Sequence, residues 1–215
     1  MIPSRFVFTC LAVLFMTATT SNTNLYCEAF SFPFADGLKN RAKAVLIEKV
    51  ESGASNDAIF QAVREVEKFS ILGGANLQNP LLPGNWLMVW TTSDSIAGKT
   101  RPKLFQTNTP PEQLLDVVNG RAVNAEMVLG IRNAVRADIS PMTNNKVKVQ
   151  FREFSVGPIR FKPEGDRFKG ELSVSYLDED MRISRGDKGN AFVLLRESTQ
   201  QKAADRIWRG WKKSW

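Results

Sequence analysis

The chain has 215 residues, 43% hydrophobic and 24% charged, with a net charge of +7. That size supports one domain with a real core, and that composition excludes a disordered protein. There is no histidine, and the two cysteines, Cys10 and Cys27, both fall near the start.

Arg5 precedes an uncharged apolar run from Phe6 to Met16. A bilayer span takes ~20 residues, so this run is too short to cross and instead suits the hydrophobic core of a signal peptide. Cys27-Glu28-Ala29 puts small residues at the −3 and −1 positions of a cut before Phe30. Residues 1–29 are therefore read as a signal peptide, the alternative being a buried N-terminal helix or strand. Their removal takes Arg5 and Glu28, one charge of each sign, together with both thiols. A chain lacking His and Cys has no disulfide, no His or Cys ligands for zinc or haem, no Cys nucleophile and no Ser-His-Asp triad. No cofactor and no metal site are expected.

Leu38 to Ser52 reads as a helix, with Asp36-Gly37 as its start signal and Gly53 as its stop. A second helix runs from Asn56 to Phe69, capped by Ser55 or Asn56, with Ile59, Val63, Val66 and Phe69 at helical spacing. Both are expected to pack on the strands C-terminal to them. From Gly84 the period changes from 3.6 to 2. Trp86, Met88 and Trp90 alternate with Asn85, Leu87 and Val89. Similar alternation marks strands over 122–129, 131–139, 147–152 and 172–176. The last two strands, 181–185 and 191–196, are joined by Gly186-Asp187-Lys188-Gly189-Asn190. Short one-faced strands separated by turns predict an antiparallel sheet that closes into a barrel.

Two stretches carry a likeness. Pro83-Gly84-Asn85-Trp86-Leu87-Met88-Val89-Trp90-Thr91-Thr92-Ser93 resembles the opening of the plastid lipid-associated protein (fibrillin, plastoglobulin) domain. Phe154-Ser155-Val156-Gly157-Pro158-Ile159-Arg160-Phe161, continuing through Tyr176 to Asn190, resembles that family's C-terminal signature. The resemblance implies a lipocalin-like antiparallel β-barrel behind an N-terminal helical pair, filling residues 38–200 (helices 38–70, barrel 84–197). It also implies residence in a plastid, on plastoglobules or thylakoids, and the handling of isoprenoid, galactolipid or other acyl lipids. The signal peptide followed by residues 30–37, a transit remnant, resembles the two-part leaders of algae with secondary plastids; secretion is the alternative. In the similar lipocalins a Trp closes one barrel end beneath an Arg, which points to Trp86 with Arg182, Arg185 or Arg196.

If alternation holds, Trp86, Met88, Trp90, Phe151, Leu172, Val174, Tyr176 and Ile183 line the interior, as a lipid site or as a filled core. The run Arg182 to Asn190 reads as a hairpin turn, with Gly186 and Gly189 at positive φ, rather than as an anion cradle. Residues 201–215 depart from the family pattern. On a helical wheel Trp208, Trp211 and Trp215 gather on one face and Arg206, Arg209, Lys212 and Lys213 on the other, an amphipathic helix for an anionic lipid surface or for docking on the barrel. The basic residues form no stripe and no stacking motif accompanies them, so nucleic acid is not the expected partner. The function expected is non-catalytic lipid binding or lipid-surface coating. The alternatives are a lipocalin-like enzyme, with chemistry left to carboxylates, Arg or Tyr176, and a scaffold that recruits proteins to lipid bodies.

Overall fold

The computed structural model describes residues 33–70, 77–94, 102, 106–107, 109–163 and 168–197. The expected leader and the 201–215 tail lie outside these residues. Helix α1 (Pro33–Glu51) begins earlier than Leu38. Proline is tolerated in a helix's first turn, and Asp36, bonded to Lys39 at 3.0 Å, sits inside that turn rather than before it. Gly53 at φ 66° ends α1, with Ala54 N–H donating to Lys49 O at 3.0 Å. Helix α2 (Asn56–Glu67) is capped by Ser55, whose hydroxyl accepts from Ala58 N–H, and it buries Ile59, Ala62, Val63 and Val66.

Among the described residues, nine strands come after the helices: β1 (Gly84–Thr91), β2 (Glu112–Asp116), β3 (Arg121–Val128), β4 (Ile131–Pro141), β5 (Lys146–Val156), β6 (Ile159–Phe161), β7 (Lys169–Leu177), β8 (Met181–Gly186) and β9 (Ala191–Arg196). Their order is β4-β3-β2-β1-β9-β8-β7-β5-β6, all antiparallel, and β4 also pairs with β5. Eight strands thus close into a barrel, and β6 hangs as a short flap on the far half of β5. The fold is the expected lipocalin-like barrel with a helical pair. Strands β2 and β6 were not anticipated: β2 is five residues long behind Pro110-Pro111, and β6 is only three.

The barrel wall has two cores. Leu46, Val50, Ile59, Val63 and Val66 of the helices pack on Leu87, Val89, Trp90, Tyr176, Met181, Ile183, Val193 and Leu195, which point outward from β1, β7, β8 and β9. Inside, Trp86, Met88, Leu115, Val147, Val174, Leu177 and Leu194 form the second. Strands buried on both faces read as near-continuous apolar runs, which is why β1 and β9 look so hydrophobic in sequence.

Three register shifts set which residues face inward. They lie between Met88 and Trp90 in β1, between Val174 and Tyr176 in β7, and opposite Arg136 and Ala137 in β5. Each adds a residue to one strand, and a β-bulge of that kind reverses the in–out parity beyond it.

Candidate functional site

The barrel encloses a cavity of about 840 Å³. Met88, Phe151, Leu172 and Val174 line it, but four other residues expected there do not. Trp90 and Tyr176 lie beyond bulges and turn outward into the helix-facing core, where Ile183 joins them because Arg182 and Ser184 take the inward positions of β8. Trp86 is fully buried in the inner core at the cavity's closed end. Small side chains leave the space: Ala122 on β3 and Ala137 on β4 face each other across the strand pair, both buried and both lining the cavity. The bulge in β5 also brings Phe154 in beside Phe151, with ring centroids 6.1 Å apart.

The floor is built around Trp86. Its indole N–H donates to Leu82 O at 3.0 Å, so the segment carrying Leu82 straps the closed end. Leu77 fixes that strap's other end by donating its N–H to Asn144 O at 2.7 Å. Arg196, opposite Trp86 on β9, lies 4.2 Å from the indole centroid, and Arg182 lies 4.9 Å from it. Such cation–π contacts are worth ~0.5–2 kcal/mol. Arg196 donates to the carbonyls of Glu179, Pro83 and Leu81. Gly84 keeps φ 120°, and a Cβ there would come within 3.0 Å of Arg196 Nη1, which accounts for the Gly-x-Trp spacing. Of the three arginines expected at this end, Arg182 and Arg196 are present. Arg185 faces outward instead, onto the Phe60 ring and Glu67 of α2.

Arg182 is 1% exposed. It donates to Gln113 Oε1, and Gln113 in turn donates to Asn124 Oδ1 at 2.8 Å. Burial, followed by the neighbouring charge of Arg196, pulls its guanidinium down to about 9, so it stays charged at neutral pH. Gln113 escaped the sequence reading because β2 did. Its only signal was the two-residue spacing that puts Gln113 on the same strand face as Leu115, with exposed Leu114 between them.

The acidic run Asp178-Glu179-Asp180 does not line the cavity. Lys43 of α1 bonds Asp178 at 2.6 Å and Asp180 at 3.2 Å, and Tyr176 donates its hydroxyl to Asp178. Burial raises the Asp178 carboxyl, but Lys43, Tyr176 and the Met181 N–H outweigh it and hold the group below its usual range. Burial and Asp178 push the Tyr176 phenol far above its own. These groups tie a helix to the barrel. At the β8–β9 turn only Gly189 is at positive φ (77°); Gly186 simply ends β8 against Phe192.

The PAP_fibrillin family model matches residues 47–195. Probable plastid-lipid-associated protein 5, chloroplastic, of Arabidopsis thaliana is 29% identical over 186 residues, 78% of this chain and 75% of that one. Two shorter matches cover less than a quarter of the relative's length. Plastid lipid-associated protein 1, chloroplastic, of Brassica campestris is 38% identical over 71 residues, 30% of this chain and 22% of that one. The chromoplast-specific carotenoid-associated protein of Cucumis sativus is 52% identical over 42 residues, 20% of this chain and 13% of that one. With the family model spanning more than half of the sequence and these relatives named for plastids, the chain belongs to the PAP_fibrillin family and is a protein of the plastid.

Proposed function

We propose that the barrel holds one acyl or isoprenoid lipid without chemical change, while its open rim rests on the surface of a plastoglobule or thylakoid. The observation that carries this is the cavity itself, within the ~300–1,000 Å³ range of small-molecule sites and walled mainly by aliphatic and phenylalanine side chains, with Glu112, Gln113, Asn124, Glu171, Arg182 and Ser184 among its polar lining. Val156 and Phe161 line the cavity and are themselves about half exposed, so the cavity meets the surface at their rim. Leu129, Ile131, Ile159 and Phe168 are exposed there too, Ile159 at 67%. Arg132, Arg160 and Lys162 stand exposed among them, each adding ~1 kcal/mol near an anionic surface. The carotenoid-associated name of the cucumber relative supports an isoprenoid ligand as well as an acyl one.

A non-catalytic role is supported by the acidic run at 178–180. Asp178 and Asp180 are engaged with Lys43, and Asp178 also with Tyr176, outside the cavity, so these two carboxylates are spent on structure. The basic, Trp-rich residues 201–215 supply a second contact with lipid in this reading, on their sequence pattern.

Flotation on anionic, galactolipid-rich vesicles tests the surface part. The full chain is expected to float. The paired variant Ile159→Asp and Phe161→Asp should stay largely in solution, and removal of residues 201–215 should weaken flotation further. Flotation of the paired variant but not of the truncated chain would move the anchor to the tail and leave the rim for a protein partner. Failure of the parent chain to float would end the coating reading.

A further inference from the structure

The cavity floor carries a charge that the apolar walls do not explain. Buried polar atoms are nearly always hydrogen-bonded. Among the described residues, three buried side-chain atoms have no partner: Arg182 Nε, Ser184 Oγ and Asn133 Oδ1. The first two stand two residues apart on the inward face of β8, both residues are 1% exposed, and both line the cavity. Among the described residues, the only side chain bonded to Arg182 is the neutral amide of Gln113, and no ion pair includes Arg182. The like charge of Arg196 also acts on it, and Arg196 is already committed to three backbone carbonyls. Keeping a buried cation without an ion-pair partner at the floor of a largely apolar cavity costs several kcal/mol, which an anion in the cavity would offset.

We propose that this floor is a carboxylate site, in which the head of a long-chain acid sits on the Arg182 guanidinium and the Ser184 hydroxyl while its chain rises past Phe151 and Phe154 toward the rim. The proposal deepens the lipid-binding reading and rests on it. Strand polarity gives the direction. Arg182 opens β8 at the strapped end beside Trp86, whereas Phe154 and Val156 close β5 at the open end. An ionised carboxylate is acceptor-only and carries one charge, matching one guanidinium and one hydroxyl donor. A phosphate monoester carries close to two charges and three oxygens, more than these two donors serve. An alcohol, an ester or a hydrocarbon would leave the guanidinium uncompensated.

The test is displacement of cis-parinaric acid fluorescence from the full chain by oleic acid, methyl oleate and oleyl phosphate. Oleic acid is expected to compete about tenfold better than the other two, as a charge-assisted hydrogen bond predicts. Arg182→Met, which retains an unbranched apolar stem, should cost the acid about tenfold and leave the ester within about twofold of its parent value. Ser184→Ala keeps the charge and should weaken the acid about threefold, giving a second reading if Arg182→Met does not fold. Equal losses for acid and ester in Arg182→Met would make the guanidinium a structural partner of Trp86 and overturn the proposal. An acid no better than its ester, or a phosphate better than both, would overturn it as well. If the parent chain takes up neither the probe nor the ester, the cavity-binding reading fails, and the carboxylate site fails with it.

Discussion

Arg185 of β8 and Glu67 of α2 form a two-pronged ion pair, Nε to Oε1 at 2.8 Å and Nη2 to Oε2 at 2.6 Å, that fastens the helical pair to the outside of the barrel. The Ser175 hydroxyl, turned outward at the β7 bulge, donates to the same carboxylate at 2.6 Å. Neither Arg185 nor Glu67 is well exposed, at 23% and 18% of the side chain, so the pair is more than a surface ornament. Glu67→Gln is expected to lower unfolding stability by about 1.5–3 kcal/mol, the range for a hydrogen bond to a charged group. A double-mutant cycle with Arg185→Gln, read by urea unfolding, should return most of that loss as coupling.

Gly84 sits at φ 120° with the Arg196 guanidinium against the space a side chain would fill. Gly84→Ala therefore meets two costs, a backbone conformation that L residues avoid and displacement of Arg196 from Trp86. A loss of about 1–3 kcal/mol is expected, read as a lower thermal midpoint. Tryptophan fluorescence should shift along with it, because Arg196 lies on the Trp86 ring.

The barrel and its helices were legible because β-strands and amphipathic helices print their periods on the sequence. The helix stripe Ile59, Val63 and Val66 is buried against the barrel, as its spacing required. The interior was half legible, and the bulges are the reason. Strict alternation carries Met88 and Val174 inward correctly, then fails at Trp90 and Tyr176, one extra residue later. A bulge changes parity without leaving a compositional mark, so Phe154 also went unseen. Arg185 shares its run with Arg182 in sequence, but β8 presents Arg182 and Ser184 inward, which forces Ile183 and Arg185 out.

The Asp178 carboxyl, held below its usual range, ties stability to pH. A depressed folded-state value means that its contribution is full above the unfolded value of ~3.9 and is lost as pH falls through the folded one. The parent chain should thus lose stability on acidification below about pH 4. Asp178→Asn should be less stable than the parent at neutral pH by about 1–3 kcal/mol and show a flatter fall in that window. Thermal melts across an acid pH series check this. An unchanged slope in the variant would mean that other carboxylates carry the acid sensitivity.

The central claim, a lipid held inside the barrel, is tested most directly by filling the space. Ala137 is 5% exposed, lines the cavity and lies across from Phe151 on the neighbouring strand. Ala137→Trp should occupy the cavity from the wall while leaving both helices and the floor in place. The measurement is titration of the apolar fluorophore diphenylhexatriene into the full chain and into Ala137→Trp, with the fold checked by circular dichroism. The account predicts saturable binding at a single site in the parent and a loss of at least about tenfold in affinity in the variant. Equal binding by both chains, or none by the parent, would contradict it.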